Sequence, residues 1–348
     1  QFISYYHPLD FIQAIHRAYE REESQAAKDA MAQILINSRM CAMGHRPLCQ
    51  DTGIVNVFMK VGMDIQWQGS MSVTDMINEG VRQAYNHPDN LLRASILADP
   101  DGARRNTGDN TPAVISYEIV PGNKLVIDVA AKGGGSEAKS KFAMLNPSDS
   151  VVDWVLQEVP KMGAGWCPPG MLGIGIGGTA EKAMLLAKES LMESINIQEL
   201  QDRGPSSRAE ELRLELFKKV NDLGVGAQGL GGLTTVLDVK VKDFPAHAAN
   251  KAVALIPNCA ASRHPHFTLD GSGGGGNGSR RGGQTPPNIE DWPKISWEIG
   301  DSVRKVDLGK VTKNDLLDWM PGETILLSGK ILTGRDAAHK RIVEMITD

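Results

Sequence analysis

The chain has 348 residues, 41% of them hydrophobic and 23% charged, which fits a folded protein with a sizeable core and one large or two ordinary domains. A net charge of −5, with both signs spread along the chain, excludes a broad nucleic-acid surface but leaves room for a small positive pocket. No apolar run is long enough to span a bilayer, so no membrane partner is expected; no charged-then-apolar segment stands at the start, and since the chain opens at Gln1 without Met, residues are expected to be missing from the front.

Residues 8–41 read as helical, with Phe11, Ile12, Ile15 and Ala18 on one face and Met31, Ile34 and Leu35 following at helical spacing. Residues 54–61 turn strand-like. A helix follows over 72–85, with Ser72 as its N-cap and Met76, Ile77 and Val81 facing inward. Strands are predicted over 113–120 and 124–130, and Pro121-Gly122-Asn123 between them predicts a hairpin. Further helices are predicted over 148–159, 180–192 and 207–222, and strands over 171–176, 234–242 and 252–256. Helices and strands mix without a βαβ rhythm, so the fold class is α+β.

From Gly271 to Gly283 the chain holds eight glycines in thirteen residues, too little apolar surface to fold, and Thr285-Pro286-Pro287 stiffens the restart. The predicted organisation is a large mixed domain over 1–270, a linker over 271–287 and the beginning of a smaller domain over 288–348.

The four cysteines, Cys41, Cys49, Cys167 and Cys259, are too few for a disulfide scaffold and form no CxxC, so a reducing, cytoplasmic compartment is expected. Cys41 closes a helical pattern with nothing polar organised around it and is read as a small buried hydrophobe. The other three sit among turn residues: Cys49-Gln50-Asp51-Thr52-Gly53, Gly165-Trp166-Cys167-Pro168-Pro169-Gly170 and Pro257-Asn258-Cys259-Ala260-Ala261-Ser262-Arg263-His264. Proline and glycine keep a cysteine out of helix and sheet interiors, where its thiolate can turn toward a shared metal centre. Three thiolates on a cubane of iron and sulfide would leave one iron open to act as a Lewis acid.

These blocks occur in order with Asn106-Thr107-Gly108-Asp109-Asn110-Thr111-Pro112, Lys132-Gly133-Gly134-Gly135-Ser136-Glu137, Gly224-Val225-Gly226-Ala227-Gln228-Gly229 and Gly334-Arg335-Asp336-Ala337-Ala338-His339. Together they resemble the class I, iron–sulfur-dependent fumarate hydratases and their relatives the L-tartrate dehydratases, over nearly the whole chain. The resemblance implies reversible hydration of fumarate to L-malate on a 4Fe-4S cluster held by Cys49, Cys167 and Cys259. It implies a small dicarboxylate as substrate, and a C-terminal domain of the swivelling α/β type. It further implies a homodimer, or a partner chain that supplies the rest of the C-terminal domain beyond Asp348.

The residues suit that chemistry. Asp51, directly after the first cluster cysteine, is the first acid/base candidate, against the ordinary alternative of a turn-capping aspartate. His247 is the second, its imidazole suited to proton transfer near neutrality, while His264 and His266 are weaker candidates. Arg93 and Arg335 match substrate-carboxylate arginines of the family, a task that suits a planar guanidinium. Gln50, Gly133, Ser136 and Lys139 complete the expected substrate contacts, the glycine loop by offering backbone N–H groups to an anion.

Two rivals belong to other classes. Gly173-Ile174-Gly175-Ile176-Gly177-Gly178 fits the dinucleotide-binding pattern and suggests an NAD-dependent dehydrogenase, but no acidic residue closes a following strand. The glycines are therefore read as tight packing at a strand–helix junction. A non-catalytic iron–sulfur sensor would keep the cysteines without needing Asp51, His247, Arg93 and Arg335 together. Within the same chemistry, L-tartrate dehydratase and mesaconate hydratase are the alternatives.

Overall fold

A computed structural model describes residues 1–90, 92–271, 286–295, 303–321, 323–332 and 336–347. The chain divides into two units, Gln1–Ile295 and Ser296–Asp348. Most of the predicted linker, residues 272–285, lies outside the described residues, as does Arg335.

In chain order the first unit contains α1 (Leu9–Arg21), α2 (Gln25–Gly44), β1 (Ile54–Gly62), α3 (Val73–Asn86) and the two-residue strands β2 (Leu97–Ala98) and β3 (Arg105–Asn106). There follow β4 (Val114–Val120), β5 (Leu125–Lys132), α4 (Gly134–Ala138), β6 (Lys141–Leu145), α5 (Val151–Met162), β7 (Gly170–Gly177) and α6 (Ala180–Ser190). The unit is completed by α7 (Ile197–Arg203), α8 (Arg208–Asp222), β8 (Val236–Phe244), β9 (Lys251–Asn258) and β10 (His266–Leu269). The second unit holds β11 (Arg304–Asp307) and β12 (Ile325–Ser328), paired in parallel, and α9 (Asp336–Thr347). The fold is α+β, as the irregular mixture of elements predicts.

The predicted helix over 8–41 is two helices. Glu22, buried in the break, accepts the backbone N–H groups of Glu23, Ser24 and Leu233 on its carboxylate. Ser24 then caps α2 by accepting from Ala27 N. A buried carboxylate collecting several N–H donors ends one helix while a serine starts the next, a local signal that hydrophobic spacing does not carry.

The first unit has two four-stranded sheets. In the first the order is β10-β5-β1-β4, and in the second β6-β9-β7-β8. The expected hairpin between the strands at 113–120 and 124–130 does not form. β4 pairs with β1 in parallel and β5 pairs with β1 antiparallel, so β1 lies between them. The turn after β4 spans the end of β1 instead: Gly62 N donates to Lys124 O and Asp64 N to Gly122 O. Burial decides the order. Val55, Val57, Met59 and Val61 of β1 are all buried, whereas Tyr117 and Ile119 of β4 are exposed, which suits an edge strand.

Each sheet has its own apolar cover. Residues of α3 and the chain start pack on the first sheet, with Val81, Tyr85 and Tyr5 against Val55, Val57 and Ile127. On the second sheet, α5 and α8 cover one face through Val155, Val159, Leu216 and Val220. The other face meets α6 across small residues, Ala183 and Ala187 against Ala252 and Ala254. The glycines of β7 belong to this contact. A Cβ on Gly173 would overlap Ala187 O, and one on Gly175 would overlap Ala183 O. They admit α6 to the sheet, which accounts for them without a dinucleotide.

This packing generates an expected contrast. Gly175→Ala pushes a methyl group into helix backbone and lowers unfolding free energy by roughly 1–3 kcal/mol. Gly80→Ala, in the interior of α3 with open space at its Cβ position, raises it by roughly 0.5–1 kcal/mol. Chemical denaturation of both variants beside the unaltered chain measures the difference.

Candidate active site

The second sheet brings two of the cysteine segments to one end. Cys167 lies just before β7 and Cys259 just after β9, and these strands run antiparallel with Met171 opposite Asn258. Ala260 N donates to Cys167 O at 3.0 Å, so the two loops touch through backbone. Gly170 sits where any Cβ would overlap Asn258 O, which is why glycine follows the two prolines. Cys167 itself has φ 56°, a left-handed conformation uncommon for a residue with a side chain. Two hydrogen bonds hold the loop in that shape, as Gln228 donates to Pro168 O from both its backbone N (2.7 Å) and its Nε2 (2.6 Å). The neighbouring Trp166 anchors the loop in the core with no exposed surface.

The Cys49 segment enters from the first sheet, immediately before β1. Arg263, on the Cys259 segment and 3% exposed, donates from Nη1 to Asp51 O at 2.6 Å. The Gly133–Gly135 turn after β5 bridges the remaining pair of loops. Gly134 N donates to Asp51 Oδ2 at 2.7 Å, and a Cβ on Gly135 would stand 2.9 Å from Gly165 O. The three segments are thus linked, two pairs directly and the Cys49–Cys167 pair through the glycine turn, although 118 and 92 residues separate Cys49 from Cys167 and Cys167 from Cys259. No disulfide links any of the four cysteines.

Asp51 is held on both carboxylate oxygens, Oδ1 accepting from Gly53 N at 3.0 Å and Oδ2 from Gly134 N. The expected anion at the glycine turn is therefore, in this chain, the Asp51 carboxylate. Ser136 does not face outward either: it is buried and its hydroxyl donates to Gly133 O. Lys139 reaches across to the Cys167 loop, where a Cβ on Gly165 would stand 2.6 Å from Lys139 Cε. Gln50 and Arg93 are exposed beside these groups, Arg93 being fixed through its carbonyl, which accepts from Thr52 Oγ1.

Several residues that organise the site carry no individual sequence signal. Asn110, fully buried with φ 61°, donates from Nδ2 to Gly53 O and accepts from Ser95 N, which binds the 106–112 block to the first cysteine loop. Lys132, 2% exposed at the end of β5, donates to Pro257 O at 2.7 Å. A lysine ending an otherwise apolar strand, and Gln228 within its glycine-rich block, are the traces that could have revealed two of them. Cys41 behaves as read: it is buried, its thiol near Pro47 O and Asn37 Oδ1, and burial pushes its pKa up.

The structure does not bring His247 to this place. It is exposed in the connection from β8 to β9, with Ala249 N donating to its Nδ1. The eight residues of β9 put it at the other end of the sheet from Cys259, on the order of 25 Å away. Of the weaker candidates, His264 is buried beside Ser262, and desolvation lowers its pKa. His266 is exposed and faces Asp128 at 2.7 Å.

A resident iron–sulfur cluster, which the resemblance implies, can be tested against these residues. The donor set is three thiol side chains on loops, two of which bond directly to the Cys259 segment. Among the described residues no group of three His, Cys, Asp or Glu side chains is disposed around a single metal ion. The surroundings are cationic: Lys132 and Arg263 are buried beside the loops, and Arg263 Nε has no hydrogen-bond partner. Thiolates and sulfides supply the negative charge that such burial calls for, so the residues fit the group.

Residues 1–268 match the family model for fumarate hydratase (fumerase), and residues 278–348 match the model for the fumarase C-terminus. The chain is similar to the putative L(+)-tartrate dehydratase subunit alpha of Methanocaldococcus jannaschii, at 35% identity over 264 residues covering 74% of this chain and 90% of the relative. It is also similar to the L(+)-tartrate dehydratase subunit alpha of Escherichia coli, at 29% identity over 260 residues covering 74% of this chain and 83% of the relative.

A further tie on the Cys259 segment predicts acid sensitivity. His7 Nε2 lies 2.9 Å from Ala260 O and its Nδ1 2.8 Å from Ser38 Oγ, and burial pushes its pKa down to about 3. The unfolded chain takes up a proton near pH 6.5 that the folded chain refuses. Stability is therefore fully present above about pH 6.5 and falls by up to about 1.4 kcal/mol per pH unit toward pH 3. Urea unfolding between pH 7 and pH 4 is expected to show this slope in the unaltered chain and a shallower one in His7→Gln.

Proposed function

The chain belongs to the fumarate hydratase family, and on that premise we propose that it is a hydro-lyase adding water reversibly to fumarate to give L-malate, with its centre on Cys49, Cys167 and Cys259. The observation that supports this reading is that the Cys259 segment bonds to both other cysteine segments, while the glycine turn that receives Asp51 runs close to the Cys167 loop. A 4Fe-4S cluster on these thiolates would supply Lewis acidity for a hydroxide that is otherwise a poor leaving group.

This chain's own residues do the rest. Asp51 is the acid/base residue, moving a proton at a carboxylate oxygen. Gly53 N, Gly134 N and Arg263 fix both its side chain and its backbone, so little reorganisation accompanies the transfer. Arg93, exposed at the rim and pinned to Thr52, takes one carboxylate of the dianion, and Gln50 and Lys139 add polar contacts. Arg335 is assigned to the second carboxylate on its motif alone. Proton transfer is assigned to Asp51 and not to His247, which the length of β9 separates from the cysteine loops.

L(+)-tartrate dehydration is the second reading, favoured by the names of the two relatives above. Tartrate also loses water from a carbon next to a carboxylate, so the same groups would serve. The relatives' designation as alpha subunits likewise favours assembly with another chain, whereas the match of residues 278–348 to a fumarase C-terminus favours C-terminal groups supplied by this same chain. A reducing, cytoplasmic compartment suits three accessible thiolates and an oxygen-sensitive centre.

Anaerobic reconstitution with iron and sulfide, followed by assays of fumarate and L(+)-tartrate in parallel, tests the reading. Fumarate consumption is expected by the loss of its ultraviolet absorbance. Asp51→Asn is expected to lower kcat by about 10²-fold or more at unchanged iron content. Reconstituted protein that turns over neither acid contradicts the proposal; turnover of tartrate alone transfers it to the second reading.

A further inference from the structure

Buried cations in the first unit fall into two kinds. Arg213 and Lys240 share the buried carboxylate of Asp238, at 3.2 and 3.0 Å. Lys132 and Arg263 are as deeply buried, yet among the described residues neither forms an ion pair with a carboxylate. Arg263 spends Nη1 on a carbonyl and leaves Nε without a partner. Lys132 has three N–H donors, of which one goes to Pro257 O. The charged groups facing it are Glu137 and Cys259, which favour its ammonium form, and Lys188 and Arg263, which oppose it. Glu137 is itself engaged by Lys188 at 2.9 Å. Burial lowers the Lys132 pKa to about 8, which leaves the ammonium predominant at neutral pH.

An ammonium taken out of water without a directly paired carboxylate is costly. Its place explains what would offset the cost. Lys132 ends β5 of the first sheet, and its side chain crosses to the last residues of β9 in the second, two positions before Cys259. Gly133, which follows it, opens the turn that receives Asp51.

We propose that Lys132 is a positioning residue: its buried ammonium ties the Cys259 loop to the glycine turn through Pro257 O and supplies fixed positive charge against an anionic iron–sulfur cluster. The inference rests on the reading of Cys49, Cys167 and Cys259 as cluster ligands. An iron–sulfur cluster gains negative charge on reduction, so a nearby ammonium favours the reduced form and raises the potential. Removing a group that orients a ligand commonly weakens metal affinity by roughly 10–100-fold.

The test compares full-length Lys132→Met and Lys132→Arg with the unaltered chain after anaerobic reconstitution. Potential is read by spectroscopically monitored reductive titration, and retention by the rate of bleaching under a chelator. Lys132→Met is expected to titrate at lower potential and to bleach roughly 10–100-fold faster. Lys132→Arg, which keeps the charge, is expected to stay close to the unaltered protein in potential. Equal potentials for Lys132→Met and the unaltered chain overturn the proposal, because a purely structural lysine would leave the potential where it was. An unaltered chain that assembles no cluster overturns the functional reading itself, a distinguishable failure. If Lys132→Met does not fold, amine acetylation of the unaltered chain decides: Lys132 is expected to react several-fold more slowly with the cluster bound than without it, and equal rates overturn the proposal.

Discussion

The Cys259 segment is gripped from two sides, by Ala260 donating to Cys167 O and by Arg263 donating to Asp51 O, and the candidate site depends on both bonds. The first closes one end of the second sheet. The second reaches from that sheet to the first, where Cys49 precedes β1. Neither sheet alone carries all three cysteines. Lys132 adds a second crossing between the sheets at Pro257 O near the end of β9, and His7 adds a tie from the chain start to Ala260 O. Bonds of this kind fix the backbone of the cysteine loops before any metal arrives, one requirement of a preorganised ligand set.

The composition of the contacts also explains the residue types. Glycine occurs where backbone must meet backbone, as at Gly170 against Asn258 O and Gly135 against Gly165 O. Buried cations donate to carbonyls of the cysteine loops and not to carboxylates. That choice leaves two buried cations beside the cysteine loops without a direct carboxylate partner, with Asp51 and Glu137 nearby, and a neutral or cationic ligand would not offset them. A dianionic substrate and an anionic cluster both would.

Much of this was legible in the sequence, and the illegible part has identifiable causes. Alternating and helical apolar spacing located β1, α3, α5, α6 and α8 to within a few residues, because each buries one face. The same spacing predicted a hairpin from β4 to β5 and could not reveal β1 between them. Strand order depends on which strand is most buried, a property of the whole sheet and not of a turn. The cysteine blocks were legible as motifs, but the role of Asn110 as a clamp and of Gln228 as a brace depends on contacts 57 and 60 residues away in the chain. His247 looked suitable by chemistry alone; the length of β9 places it elsewhere.

The central claim is that Cys49, Cys167 and Cys259, and not Cys41, form one ligand set. Iron and acid-labile sulfide per chain, measured after anaerobic reconstitution of the four single Cys→Ser variants, test it most directly. Cys41→Ser is expected to match the unaltered protein in iron, sulfide and visible absorbance. Each of the other three is expected to lose most of all three signals. Full cluster content in Cys49→Ser, Cys167→Ser or Cys259→Ser, or its loss in Cys41→Ser, would contradict the account.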